Sequence, residues 1–157
     1  MRLAAFLLLL AACLSAQGVN AQARPDARFT HLTTADGLSQ SEVTGIVQDA
    51  RGFLWIATTD GLNRYDGYTF TVYTHDPDDP NTPGGNYLHT LLQDRDGHLW
   101  LGTSGGGLDR FDPRTETFTH YRHDPGDPDS PAGNTVNSLL QDAQGGRCGW
   151  PLEAGQP

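Results

Sequence analysis

Two strings in this chain are copies of one pattern: Gln48-Asp49-Ala50-Arg51-Gly52-Phe53-Leu54-Trp55-Ile56-Ala57-Thr58 and Gln93-Asp94-Arg95-Asp96-Gly97-His98-Leu99-Trp100-Leu101-Gly102-Thr103. A third copy begins at Gln141-Asp142-Ala143-Gln144-Gly145-Gly146 and then departs from the pattern. The offsets between Gln48, Gln93 and Gln141 are 45 and 48 residues. A period in this range marks an array of equivalent supersecondary units, none of which can bury its apolar surface alone.

Each unit reads as four strands. Strand a is 43–48, matched by 87–93 and 135–141; strand b is 53–58, matched by 98–103; strand c is 62–65, matched by 108–111; strand d is 69–73, matched by 117–121. Aromatic and β-branched residues fill these runs, and Gly, Asp, Asn or Pro bounds them. Both alternations of strand b are apolar, with Phe53 and Trp55 on one face and Leu54 and Ile56 on the other. Such a strand has to be covered on both sides, here by neighbouring copies of its own sheet. Small residues at Ala57 and Gly102 leave room for another segment to approach closely. The predicted fold is therefore all-β: four-stranded antiparallel units stacked as the blades of a β-propeller. The chain holds about two to two-and-a-half blades of an incomplete ring, whose open strand edges are an association hazard.

The turns agree with this architecture. Asp49-Ala50-Arg51-Gly52 and Asp94-Arg95-Asp96-Gly97 join strands a and b, with Gly supplying the positive φ that the hairpin needs. Asp66-Gly67 and Asp112-Pro113-Arg114 join c to d. Asp94-x-Asp96-Gly97 resembles the start of a calcium loop, but Arg51 and Gln144 replace Asp96 in the sister turns and no Glu stands at loop position 12. No metal site is therefore expected. Antiparallel order puts the short a–b and c–d turns on one side of the disc. The b–c loops (59–61, 104–107) and the long Pro-rich d–a loops (75–86, 123–134) lie on the other, where binding is expected.

The formal net charge of −9 comes from 19 acidic residues and 10 basic ones, all of them Arg. An acidic surface repels phosphate backbones, so no nucleic-acid partner is expected. Cys13 and Cys148 lie outside the repeats, which argues against a disulfide framework. Residues 3–14 form an apolar run after Met1-Arg2, and Ala21-Gln22-Ala23 has the Ala-x-Ala form of a cleavage site. Residues 1–23 thus read as a secretory signal peptide followed by a linker at 24–28, and the remainder as exported and periplasmic. Leu10-Ala11-Ala12-Cys13 resembles a lipobox, the alternative in which Cys13 carries a lipid anchor.

Asp-x-x-Gly-x-Leu-Trp-Ile/Leu-Ala/Gly-Thr followed by Gly-Leu-x-Arg-Tyr/Phe-Asp resembles the two-component regulator propeller repeat. The lead-in Phe29-Thr30-His31-Leu32, then Asp36-Gly37-Leu38-Ser39-Gln40, fits as well, and the resemblance covers roughly residues 29–146. It implies the periplasmic sensor region of a large receptor, followed in such receptors by a β-sandwich, a transmembrane helix and a cytoplasmic signalling domain. It also implies that 29–42 supplies a ring-closing strand and lead-in, ahead of blade 1 at 43–73, blade 2 at 74–121 and the start of blade 3 at 122–146.

After Gly146 the pattern calls for Leu-Trp-x-Ala/Gly-Thr, but the chain reads Arg147-Cys148-Gly149-Trp150-Pro151. Reading from the third base of the Arg147 codon permits Leu-Trp-Val-Ala-Thr, so 147–157 is expected to be an out-of-frame tail.

No zinc spacing, nucleophile elbow or phosphate-binding Gly loop is present, and no cofactor is expected. His75 and His123 stand at equivalent positions before Asp-Pro, which suits a structural role in the loops. Trp55 and Trp100 suit the core. Geometry alone selects the candidate ligand contacts on the long-loop face: Asp60, Asn86, Tyr87, His89, Ser104 and Asn134. Polar groups with one aromatic suit a small polar solute such as a carbohydrate. The expected function is non-enzymatic ligand sensing. The alternatives are a propeller-scaffold lyase or glycosidase, which needs a non-periodic acid/base pair, and a protein-interaction module or inert remnant.

Overall fold

The computed structural model describes residues 29–142 and the backbone of 147–150. The expected signal peptide, Cys13 anchor and linker, the third a–b turn at 143–146 and the tail from 151 onward lie outside the described residues.

A 3-10 turn at Thr34–Asp36 precedes the strands β1 Val43–Gln48, β2 Leu54–Thr58, β3 Gly61–Tyr65 and β4 Phe70–Tyr73. Then follow β5 Leu88–Gln93, β6 Leu99–Thr103, β7 Leu108–Asp112 and β8 Thr117–Tyr121, and finally β9 Ser138–Gln141 and β10 Arg147–Trp150. They form two four-stranded antiparallel sheets, ordered β1-β2-β3-β4 and β5-β6-β7-β8, and a two-stranded sheet of β9 and β10. These are two propeller blades and part of a third, and the sheets are open. Residues 29–33 lie outside the strands.

The blades are superposable in register. Trp55 pairs with Val47 and Arg64, and Trp100 with Leu92 and Arg110. Both first strands carry a register shift, between Val43 and Gly45 and between Leu88 and Thr90, so Thr44 and His89 sit in matching bulges. The backbone of 147–150 takes the place of strand b in the third unit, with Arg147 opposite Gln141 as Leu99 is opposite Gln93.

The hairpin follows from its turn residues. Gly52 donates its amide to Asp49 O at 2.9 Å and sits at φ 91°, and Gly97 repeats both features at 3.0 Å and φ 88°. This is a turn closed by a left-handed residue, a conformation that Gly adopts without steric cost.

Stacking the two sheets makes the core. Trp55, Ala57 and Leu62 of blade 1 pack with Leu88, Leu99, Leu101 and Phe111 of blade 2, flanked by Val47, Tyr73, Leu91 and Phe118. Trp55 and Phe111 meet edge-on at 5.3 Å between ring centroids, and Tyr73 lies 5.3 Å from Phe111. Every residue of β6 is buried, as expected for a strand apolar on both faces. Removing a side chain such as Leu101 from water contributes roughly 1.5–3 kcal/mol. On its other side blade 2 meets the segment entering the third unit. There a Cβ on Gly102 would lie 2.4 Å from Val136 O, so only Gly allows the approach.

The first d–a loop is folded onto the blade it enters. Asn81 Nδ2 donates to Glu116 O at 3.2 Å and Asn81 Oδ1 accepts from Phe118 N at 2.9 Å, so one side chain caps the outer edge of β8. Satisfying an edge strand in this way removes a template for unwanted pairing.

Candidate ligand-binding face

Five of the six residues singled out in the sequence fall where the b–c turns meet the ends of the d–a loops, and the sixth, His89, sits in the β5 bulge. Gly61 N donates to Asn86 O at 2.8 Å, Ser104 N to Tyr87 O at 2.9 Å, and Gly107 N to Asn134 O at 2.8 Å. Asp60, Asn86, Tyr87 and Ser104 are thereby brought into one row, and Asn134 occupies the same place one repeat later. The Tyr87 ring stands 4.8 Å from that of His89.

Their side chains divide into two kinds. Asn86 Oδ1 accepts from His75 N at 2.6 Å and Asn134 Oδ1 from His123 N at 2.7 Å, so both amides clasp the ends of their loops. The side-chain polar atoms of Asp60, Tyr87, His89 and Ser104 have no protein hydrogen-bond partner among the described residues. Asp60, Tyr87 and Ser104 are exposed and His89 is half-buried.

The two d–a loops share one internal design. His75 Nδ1 lies 2.7 Å from Pro83 O and His123 Nδ1 2.8 Å from Pro131 O. Asp76 N donates to Thr82 Oγ1 and Asp124 N to Ser130 Oγ, each at 2.9 Å. The repeated His-Asp-Pro is a loop lock.

The acidic turn has a similar explanation. Asp94, Asp96 and His98 bring potential ligand atoms within 4.8 Å of one another. Asp94 Oδ1, however, accepts from the amides of Asp96 and His98 at 3.0 and 2.9 Å, and Oδ2 from Trp100 Nε1 at 2.8 Å. Arg110 donates to His98 Nε2 at 2.8 Å, which places the proton of the neutral ring on Nδ1, 3.4 Å from Asp94 Oδ1, so that nitrogen offers a cation no lone pair. Asp49 repeats the lock with Arg51 N, Phe53 N and Trp55 Nε1. Burial raises the Asp49 carboxyl, but the bonds from Trp55, Arg51 and Phe53 outweigh it and leave the group below the usual range. Asp94 behaves alike: burial raises it, and Trp100 and the His98 amide bring it below.

Sequence reasoning missed a pair of buried polar residues on strand c, Asn63 and Asp109. Asn63 Oδ1 accepts from Ser39 N at 2.9 Å, and Asp109 Oδ2 from Gly84 N at 2.7 Å. Each anchors the segment that enters its blade. Asp109 Oδ1 also lies 2.6 Å from His120 Nδ1, and His120 Nε2 lies 2.9 Å from Pro80 O. Burial pushes the Asp109 carboxyl up, against the opposing bonds from His120 and Gly84. The available signal was a polar residue in a strand at the same place in both Gly-Leu-x-Arg-Tyr/Phe strings.

Among the described residues, no helix is long and apolar enough to cross a membrane. Residues 37–60 and 82–105 match the family described as Two component regulator propeller. Over 51 residues the chain is 53% identical to histidine kinase P4 of Formosa agariphila, a match covering 32% of this chain and 4% of that protein. The extracellular domain of BT3049 from B. thetaiotaomicron, assigned as a hybrid two component system, is 33% identical. It superposes with a TM-score of 0.69 over 74% of this chain and 16% of that one. The extracellular domain of BT4673 from the same organism, assigned as a one component system, shares the fold at 20% identity and a TM-score of 0.56, over 77% of this chain and 17% of that one. The chain thus spans less than a fifth of the length of each of these proteins. The matched segments fall on its repeated Asp–Trp hairpins, so the chain carries two-component regulator propeller repeats.

Proposed function

We propose that this chain is part of a non-enzymatic, exported ligand-sensing module of a signal-transduction receptor, with a small polar solute such as a carbohydrate as its ligand. The observation that carries this reading is the row of Asp60, Tyr87, His89 and Ser104, whose side chains have no protein hydrogen-bond partner among the described residues: Asp60, Tyr87 and Ser104 stand at a junction locked by backbone hydrogen bonds, and His89 sits in the β5 bulge beside the Tyr87 ring. Rigid presentation of free donors and acceptors lowers the ordering cost of binding. The close Asp109–His120 pair is tied to Gly84 and Pro80 and holds a loop in place, which favours binding over acid/base turnover. The likeness to extracellular receptor domains and to a histidine kinase supports export to the periplasm. It also supports a parent protein with a signalling domain, to which we add the β-sandwich and transmembrane helix that the repeat resemblance implies.

Titrating the full chain with neutral and acidic oligosaccharides by calorimetry, while chromatography follows the sugars, tests the proposal. Near-UV circular dichroism from the buried tryptophans verifies folding first. Heat without new products, lost in Asp60→Ala and Tyr87→Ala, supports sensing. Product formation makes the protein an enzyme, and no heat from a folded chain removes the proposal.

A further inference from the structure

A second concavity lies apart from that row, between the first d–a loop and β8. It has a volume of about 210 Å³ and is lined by His75, Asp76, Asp79, Pro80, His120 and Arg122, with further proline and threonine atoms of the loop. Drug-sized sites measure roughly 300–1,000 Å³, so this one suits a single ring. Its walls are fixed before any ligand arrives. The Thr82 hydroxyl shares its one proton between Asp76 O and Asp79 O at 3.1 and 2.9 Å, Pro80 O meets His120 Nε2, and His120 is held from below by buried Asp109.

The unused hydrogen-bonding groups define the chemistry. Arg122 donates through Nε to Gly106 O at 3.3 Å, and its two terminal nitrogens have no protein acceptor among the described residues. His75 Nδ1 faces Pro83 O at 2.7 Å and must donate there, so in the neutral ring Nε2 is the free acceptor. Asp76 and Asp79 each accept one amide on Oδ1, from Asp78 and Asn81. Their other oxygens have no protein partner among the described residues. The site thus offers one planar donor, one neutral acceptor and two carboxylates beside the apolar rings of Pro77, Pro80 and Pro83. Hydroxyl groups answer such a set, because each donates and accepts. An anion does not, because two carboxylates and one guanidinium line the pocket and His120 spends both ring nitrogens on Asp109 and Pro80.

From this arrangement we propose that the pocket between the first d–a loop and β8 binds one neutral polyhydroxylated ring, a monosaccharide unit. The site deepens the sensing reading and rests on it for its biological use, while its chemistry stands on this pocket alone.

Imidazole nitrogen NMR of the full chain reads the two places separately, since His75 lines the pocket and His89 belongs to the exposed row. The probes are D-glucose, D-galactose, D-mannose and, as an anion, D-glucuronate. The expected result is saturable movement of the His75 Nε2 resonance with a neutral hexose, with a dissociation constant on the order of 1 mM for one small ring. Glucuronate is expected to bind more weakly. Arg122→Met, which keeps the aliphatic stem, should weaken the His75 response at least fivefold at unchanged near-UV circular dichroism, and Asp60→Asn should leave it intact. Movement of His89 alone overturns the pocket and leaves the sensing row standing. Movement of His75 that survives Arg122→Met overturns the recognition set, and no movement of either histidine overturns the pocket and leaves the row to the calorimetric test.

Discussion

Asp49 and Trp55 stand six residues apart across the first hairpin, and the indole Nε1–H donates to Asp49 Oδ2 at 3.1 Å inside the core. Asp94 and Trp100 repeat the contact at 2.8 Å. One carboxylate thus closes a turn and satisfies the one polar atom of the largest core side chain. Asp49→Ala strips the acceptor from that indole and from the amides of Arg51 and Phe53. With each buried unsatisfied group costing about 1–3 kcal/mol, a loss of about 3 kcal/mol is expected. The exposed side of Arg51 adds little to that figure. Urea unfolding measures it, and an unchanged midpoint would mean that the lock carries no stability.

The same carboxylates set the acid limit. Asp49 and Asp94 lie below their ordinary value of 3.8, so their contribution is complete above that pH and disappears as pH falls through the lowered folded values. Asp109 is raised, so its contribution is complete below 3.8 and disappears as pH rises through its folded value. Unfolding free energy followed from neutral pH into acid should therefore drop most steeply below about pH 4. Asp109→Asn should steepen the net acid loss by removing the opposing trend. A parallel profile for that variant contradicts the assignment.

Gly102 lies against the backbone of the third unit. Ala57 holds a methyl at the corresponding place in blade 1, whereas a Cβ on Gly102 would meet Val136 O at 2.4 Å and Thr90 Cγ2 at 2.7 Å. Gly102→Ala is expected to cost about 1–3 kcal/mol through overpacking. It should also speed hydrogen exchange of the Val136 amide, which donates to Thr103 O at 3.0 Å, while the Ile56 amide keeps its protection. Equal exchange at Val136 in both proteins refutes the close approach.

Asn86 and Asn134 clasp their loops through one side-chain oxygen each. Replacing either by Ala frees the amide of His75 or His123, at about 1 kcal/mol for one hydrogen bond. Limited proteolysis should then cut faster within 76–83 in the first variant and within 124–131 in the second. Unaltered cleavage means that the remaining loop bonds suffice.

The strands were legible nearly to the residue wherever an apolar run met a turn residue. The exceptions are informative. β5 begins at Leu88 and β9 at Ser138, later than strands expected from residues 87 and 135. Tyr87 O takes the amide of Ser104, and Thr135 makes only an isolated bridge to Ser104, so both belong to the junction with a b–c turn. Polarity and a place near a loop end single out Asn86 and Asn134 as candidate ligand contacts. The structure adds that each clasps its loop through Oδ1, a role that residue type alone does not report.

Sequence alone determined the blade: turn residues and apolar alternation act within about ten positions, and their repetition dictates stacking. Tertiary structure alone decided which polar groups remain available. Gly84 reaches Asp109 across 25 positions and Pro80 reaches His120 across 40, so no local pattern reports the pocket they build. Hydrogen-bond satisfaction of a buried carboxylate depends on what the chain brings back to it, and that is settled only when the sheets pack.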